Sequence, residues 1–311
     1  MELILLALLG IGASAMIFDG SDDDQAEALP EGDEIDVTDQ EAITGSEGDD
    51  TISGGEPTLA LDSLSAGGGN DLIDLAFADT AQIDGGDGND TINAVTFEST
   101  ISGGEGDDEM NLRPQSSWVN GDAGDDVINV SQSFNQSSTP ANGPFITSGP
   151  SFISGGEGDD ILNYEVATDP SASAFELSGG EGADTITLDV TTTDYAFTQL
   201  PEELLFEFDE FGNVIGEVET PVVRDTIAIL TDFEPGVDQL ELDLRDTHDE
   251  ISGAHTLNLV DSEETADGTA LRMTFDSARP EDPDASYQIV ATVFLQDTFG
   301  LDLDRDVTLF T

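Results

Sequence analysis

The chain contains no cysteine and no lysine. The first absence excludes a disulfide framework, a thiolate metal site and a cysteine nucleophile. The second is part of a larger imbalance: six basic residues, all arginine, face 69 acidic ones, for a net charge of −63 over 311 residues. Polyanion recognition relies on clustered lysine and arginine, so nucleic acid is excluded as a partner, and an anionic membrane surface is disfavoured. Histidine is nearly absent. His248 and His255 do not form H-E-x-x-H, which needs ligands one helical turn apart, and they read as surface residues. No G-x-S-x-G nucleophile elbow occurs either. Long apolar runs are limited to Leu3 to Phe18, 16 residues, short of the roughly 20 that span a bilayer.

What remains is unusual. Hydrophobic residues are 37% of the chain and 33 glycines add to them, so a core can form. The surplus negative charge opposes compaction unless cations bind. Without disulfides, bound metal is the obvious staple for an exported chain. Residues 1–18 read as an export or anchor segment, since Ala13-Ser14-Ala15 is similar to a signal-peptidase site, although Met1-Glu2 supplies no basic residue. The alternative is a buried apolar helix. Membrane contact is expected only through this segment, if it stays uncleaved. Residues 19–41, with Asp22-Asp23-Asp24, read as an acidic, solvated linker.

An internal repeat decides the architecture. Gly85-Gly86-Asp87-Gly88-Asn89-Asp90-Thr91-Ile92-Asn93 fits G-G-x-G-x-D-x-U-x, where U is a large apolar residue. The segments starting at Gly103, Gly155 and Gly179 fit it fully. Those starting at Gly45, Ala66 and Gly121 each depart once, at Ser46, Ala66 and Asp122. Every copy has an apolar residue two places before it: Ile43, Leu64, Ile83, Ile101, Val119, Ile153 and Leu177. Successive starts are 21, 19, 18, 18, 34 and 24 residues apart. Eighteen is two nonapeptides, so one loop recurs per coil while the other half-coil varies and carries insertions such as Gln132 to Pro150.

The unit has a physical reading. Glycine at positions one, two and four permits backbone angles closed to other residues. A tight turn there points carbonyls inward and brings the position-six carboxylate alongside. Carbonyl and carboxylate oxygens suit Ca²⁺ rather than Zn²⁺ or copper. The apolar flanks enter short strands whose period-two alternation turns them inward. No coil can bury its apolar face alone, so coils stack. At about 4.8 Å per coil, Asp50, Asp71, Asp90, Asp108, Asp126, Asp160 and Asp184 form one column. Carboxylates about 5 Å apart repel by ~1 kcal/mol in water and several times more when partly buried. Burial of each U residue contributes only about 1.5–3 kcal/mol. The stack is therefore expected to need a cation.

These segments resemble the RTX, or hemolysin-type calcium-binding, nonapeptide-repeat family. The resemblance covers about Ile43 to Val190 and implies an all-β fold: a parallel β-roll with Ca²⁺ between neighbouring loops on one edge. Carried over, the metal ligands are the seven aspartates above with backbone oxygens of Gly85, Asp87, Gly103, Glu105, Gly121, Ala123, Gly155, Glu157, Gly179 and Glu181. Seven loops leave at most about six gaps for ions. Further on, Asp225-Thr226-Ile227 and Asp232 to Leu242 are similar to the segment that often closes such arrays, with wider spacing. The family's C-terminal region carries a signal for one-step export across both membranes of Gram-negative bacteria, which implies an extracellular or cell-surface location.

The expected organisation is a β-roll over 42–193, an insertion over 194–221 and a β-rich cap with a possible secretion signal over 222–311. Phe206, Phe208 and Phe211 read as a strand in an inserted hairpin turning at Gly212-Asn213. Asn93, Asn111, Asn129 and Asn163 at position nine should line up as an outward ladder. Two function classes stand. One is a non-enzymatic calcium-binding protein with a structural or adhesive role, partnered by calcium ions and by cell-surface or extracellular polysaccharide. The other is a secreted polysaccharide-modifying enzyme that uses the array as a calcium-dependent folding and secretion module. The first is favoured because no catalytic constellation can be named.

Overall fold

The computed structural model describes residues 32–37, 42–54, 61–131, 150–166, 174–190, 206–208, 214–217, 222–244, 248–249, 253–254, 256–279 and 282–310. The apolar segment 1–18, most of the acidic segment after it, and His255 lie outside these residues.

Each repeat contributes two strands joined by its glycine-rich loop. The strand before the loop joins one sheet and the strand after it joins another, as in Gln82–Asp87 followed by Thr91–Phe97. The first sheet runs in parallel pairs from Glu34–Asp36 through Thr51–Gly54, Leu72–Asp79, Thr91–Phe97, Glu109–Gln115, Val127–Ser131, Ile161–Val166 and Thr185–Val190 to Gln239–Asp243 and Val307–Phe310. The second runs from Ala42–Thr44 through Ser63–Gly68, Gln82–Asp87, Thr100–Glu105, Trp118–Ala123, Phe152–Glu157 and Phe175–Glu181 to Val222–Leu230 and Asp282–Gln296. An antiparallel meander, Thr256–Thr265 against Gly268–Arg279 against Asp282–Gln296, ends the second sheet. This is a parallel β-roll.

Alternation makes the core. In Val127–Ser131 the side chains alternate between half-buried and buried, with Ile128 and Val130 inward and Asn129 outward. Register turns this into columns. Ile52, Ile73, Ile92, Met110, Ile128, Leu162, Ile186 and Leu240 stack in the first sheet. Ile43, Leu64, Ile83, Ile101, Val119, Ile153, Leu177 and Leu230 face them from the second. All sixteen are buried. The outward asparagines do form a ladder, with Nδ2 of Asn111, Asn129 and Asn163 donating to Oδ1 of Asn93, Asn111 and Asn129 at 2.8–3.0 Å.

Two regions extend the stack beyond the seven repeats. Glu34–Asp36, inside the acidic segment read as a linker, pairs in parallel with Thr51–Gly54, so that segment is not linker throughout. Its Ile35 packs against the core, which is what a polar stretch with one well-placed apolar residue can do at the end of a sheet. Residues 222–310 add strands to both sheets, with Gln239–Asp243 pairing directly onto Thr185–Val190. Phe206–Phe208 pairs antiparallel with Val214–Glu217, while Phe211 and the expected turn at Gly212-Asn213 lie outside the described residues.

Core columns and the outer face should respond differently to truncation. Ile128→Ala removes a fully buried side chain and should cost about 2–5 kcal/mol. Ile161→Ala, at a residue 41% exposed, should stay within about 0.5 kcal/mol. Denaturant unfolding at saturating calcium measures both.

Candidate metal centre

The glycine-rich loops line one edge of the roll. Gly86 and Gly88 adopt φ of +114° and +127°, and their counterparts at positions two and four of the copies from Ala66 onward also take positive φ, whereas Ser46 and Gly48 of the first copy do not. Among these positive-φ positions only Asp122 is not glycine, at φ +77°, and its carboxylate is held by the Ser102 hydroxyl and the Asn120 amide.

The seven predicted aspartates meet on this edge in one column, each no more than 2% exposed. Their two carboxylate oxygens differ. Oδ1 accepts a hydrogen bond from the backbone N–H of the aspartate one rung earlier: Asp50 donates to Asp71, Asp71 to Asp90, Asp90 to Asp108, Asp108 to Asp126, Asp126 to Asp160 and Asp160 to Asp184, at 2.7–2.9 Å. Oδ2 of Asp71, Asp90, Asp108, Asp126, Asp160 and Asp184 is buried with no hydrogen-bond partner. Asp50 differs, since its Oδ2 accepts from Ser46 N–H at 2.6 Å.

The orphan oxygens point at the position-one glycines. A Cβ added to Gly85 would lie 2.4 Å from Asp90 Oδ2 and 2.4 Å from the carbonyl oxygen of Gly103 in the next rung. At Gly103 the neighbours are Asp108 Oδ2 at 2.3 Å and the Gly121 carbonyl at 2.7 Å. At Gly121 they are Asp126 Oδ2 at 2.1 Å and the Gly155 carbonyl at 2.2 Å, and at Gly155 they are Asp160 Oδ2 at 2.1 Å and the Gly179 carbonyl at 2.4 Å. The absence of a side chain thus opens a cradle walled by one carboxylate oxygen and one carbonyl oxygen from successive rungs. The 34-residue spacing between Gly121 and Gly155 leaves no mark on this edge.

The position-three carbonyls of Asp87, Glu105, Ala123, Glu157 and Glu181 are engaged between rungs. They accept from the N–H groups of Gly69, Gly88, Gly106, Gly124 and Gly158 at 2.6–2.9 Å. Each keeps a second lone pair.

Sequence reasoning missed a second ladder at position five. Oδ1 of Asp49, Asn70, Asn89, Asp107, Asp125 and Asp159 accepts from the position-five N–H one rung later, at 2.8–3.3 Å. It runs opposite to the position-six ladder and stops at Ala183, which donates but offers no side-chain acceptor. The recurrence of Asp or Asn at position five was visible in the sequence. Its direction was not. Also missed was Asp238, whose Oδ1 accepts from Asp184 N–H at 3.1 Å and whose Oδ2 accepts from Glu234 N–H at 2.6 Å. It continues the column into the region after the repeats. Asp232 sits beside it, accepting from Ser178 Oγ and from the N–H groups of Gly179 and Gly180 at 2.5–3.1 Å.

A buried carboxylate oxygen left unpaired is costly, and buried charges are found paired or on metals. The donor set here is all hard oxygen, which suits Ca²⁺. Among the described residues no three acidic or imidazole side chains converge on one point, so each cradle offers a carboxylate together with backbone oxygens. The residues fit the ion. When bound, Ca²⁺ would supply positive charge between rungs.

A family model described as the RTX calcium-binding nonapeptide repeat (4 copies) matches residues 40–56, 61–77, 83–113, 115–132 and 147–167. The chain carries RTX calcium-binding repeats on a parallel β-roll. No curated protein matches the chain.

Burial raises the pKa values of Asp71, Asp90, Asp108, Asp126, Asp160 and Asp184, and neighbouring aspartates add to the effect while the backbone N–H bonds oppose it. Asp90, Asp126, Asp160 and Asp184 are pushed up to about 6 and Asp108 to about 7, from an ordinary 3.8. The metal-free fold thus holds protons that the unfolded chain releases. Its stability from this source is fully present below pH about 4 and is lost as pH rises through 6 to 7. Chelated protein should therefore show more strand signal by circular dichroism at pH 5 than at pH 8. An equal or larger signal at pH 8 would contradict this.

Proposed function

We propose that the chain is a secreted, non-enzymatic calcium-binding protein whose β-roll forms when Ca²⁺ fills the acidic edge, and that it serves a structural or adhesive role outside a Gram-negative cell. One observation carries the reading: six stacked aspartates each spend one oxygen on the neighbouring rung and leave the other buried and unpartnered. The ligands are Oδ2 of Asp71, Asp90, Asp108, Asp126 and Asp160 with the position-one carbonyls of the following rungs, Oδ2 of Asp184 at the last loop, and position-three carbonyls in support. At most six ions bind. Affinity in the extracellular range, about 10⁻⁴–10⁻³ M, keeps the chain open in a low-calcium cytosol and folds it after export. In this reading residues 1–18 or a signal within 222–311 direct export, and the 42–193 array is the calcium-responsive part.

Calorimetric titration should return a stoichiometry of five or six, and strand signal should fall with EGTA and recover with calcium. Strand signal indifferent to the metal would sink the proposal. Asp126→Asn should remove at least one binding equivalent and lower the thermal midpoint in calcium, while Asp261→Asn, half-buried in the Thr256–Thr265 strand and far along the chain from the loops, should leave the binding stoichiometry unchanged.

Ala66 gives a sharper test. Cβ atoms placed at the position-one glycines from Gly85 onward lie 2.1–2.4 Å from the carboxylate oxygen of the same loop. By register Ala66 stands where those glycines stand, so its methyl takes space the other rungs leave open. Ala66→Gly should add one binding equivalent or tighten the weakest step about tenfold, ~1.4 kcal/mol. An unchanged isotherm would show that the methyl is no obstacle.

A further inference from the structure

Across the rungs from Ser63 to Glu176 the outward face of the second sheet is polar apart from one aromatic pair. Three places before the loop, successive rungs present Ser63, Gln82, Thr100, Trp118, Phe152 and Glu176 in register. Trp118 and Phe152 stack with ring centroids 4.1 Å apart and planes 15° from parallel. Despite that stacking, Trp118 remains 59% exposed. It is the chain's only tryptophan. Beside the pair runs an open groove of about 480 Å³ whose polar wall includes Asn120, Ser154, Glu176 and Ser178.

An indole left in water on a flat sheet face gives up apolar burial worth about 1.5–3 kcal/mol for a large side chain. The core columns are complete without it. Its rim of hydroxyl, amide and carboxylate groups offers hydrogen bonds in both directions, and no arginine lines the groove. A phosphorylated or sulfated ligand therefore finds no cation, and a net charge of −63 repels any polyanion. A pyranose ring has one face of C–H groups that packs on an aromatic surface and a girdle of hydroxyls that pairs with such a rim. Rungs repeat at about 4.8 Å, close to the length of one hexose in an extended chain, so successive sugars can meet equivalent polar residues on successive rungs.

We propose that Trp118, Phe152 and the groove beside them bind a neutral, hexose-based polysaccharide lying along the roll axis. The site is distinct from the calcium edge and does not depend on how many ions bind there.

The single tryptophan makes the test direct. Full-length protein saturated with calcium is titrated with cellohexaose, laminarihexaose, maltohexaose and mannohexaose, with an alginate hexamer as the acidic comparison, while tryptophan emission is followed. At least one neutral hexasaccharide should shift the emission saturably, and alginate should not. By calorimetry, Trp118→Ala should weaken that sugar at least tenfold with strand signal and calcium stoichiometry unchanged. Phe152→Ala, which keeps the fluorophore, should weaken it in the emission assay. Silence with all four neutral sugars at millimolar concentration, response to alginate alone, or full affinity in Trp118→Ala would each overturn the proposal.

Discussion

A column of half-satisfied carboxylates governs this protein. From Asp71 to Asp184 each aspartate ties itself to the neighbouring rung through one oxygen and leaves the other in a dry cradle. The group that fixes register is the group that creates the electrostatic problem. Repulsion between adjacent members, ~1 kcal/mol in water and more when buried, is of the same order as the burial of one apolar residue per strand. The two tendencies come close to balance. In the reading proposed above, filling the cradles with a cation tips that balance and couples folding to the ligand set.

Two ladders of opposite direction flank that decision. Position-six carboxylates accept from the rung before, while position-five side chains accept from the rung after. A slip of one rung in either sense would break one ladder or the other. Towards the C-terminus the chemistry changes from vacancy to self-sufficiency. Asp238 has both oxygens satisfied by backbone N–H groups. Asp306 is paired with the Arg305 guanidinium at 2.8 Å, also accepts from Gly236 N–H, and is held below the usual carboxylate range by that arginine. The end of the stack is thus neutralised by the protein's own cation, whereas no arginine hydrogen-bonds the column aspartates from Asp71 to Asp184.

Much of this could be read in the sequence, for a reason. A period that repeats glycine, aspartate and an apolar residue at fixed offsets leaves few ways to bury the apolar members, so Ile92 and Asp90 had to stack on Ile73 and Asp71. What could not be read was anything depending on direction or on non-repeating neighbours. The use of Oδ1 against Oδ2 is set by which rung supplies the N–H group. The role of Asp238 was hidden because its loop keeps only Gly236 and the aspartate from the repeat pattern. Glu34–Asp36 was hidden because three residues with one apolar member carry no periodicity to detect. The Trp118–Phe152 pair was invisible because the partners are 34 residues apart and meet only through register.

The opposite edge of the roll works by other rules. There Ala81, Ser99 and Ser117 donate their N–H groups to the hydroxyls of Ser99, Ser117 and Ser151 at 3.1–3.3 Å, a neutral counterpart of the acidic ladder. Pairing offsets at the loop side match in the two sheets from rung to rung through the seven repeats, so changes of coil length fall on the side away from the loops, one of them as a bulge between Leu75 and Ala78, and none on the acidic edge. The molecule has, in effect, a bound spine and an open fore-edge. New sequence can be spliced into the fore-edge without disturbing the spine, which makes it the natural place for this scaffold to acquire, lose or be given appendages.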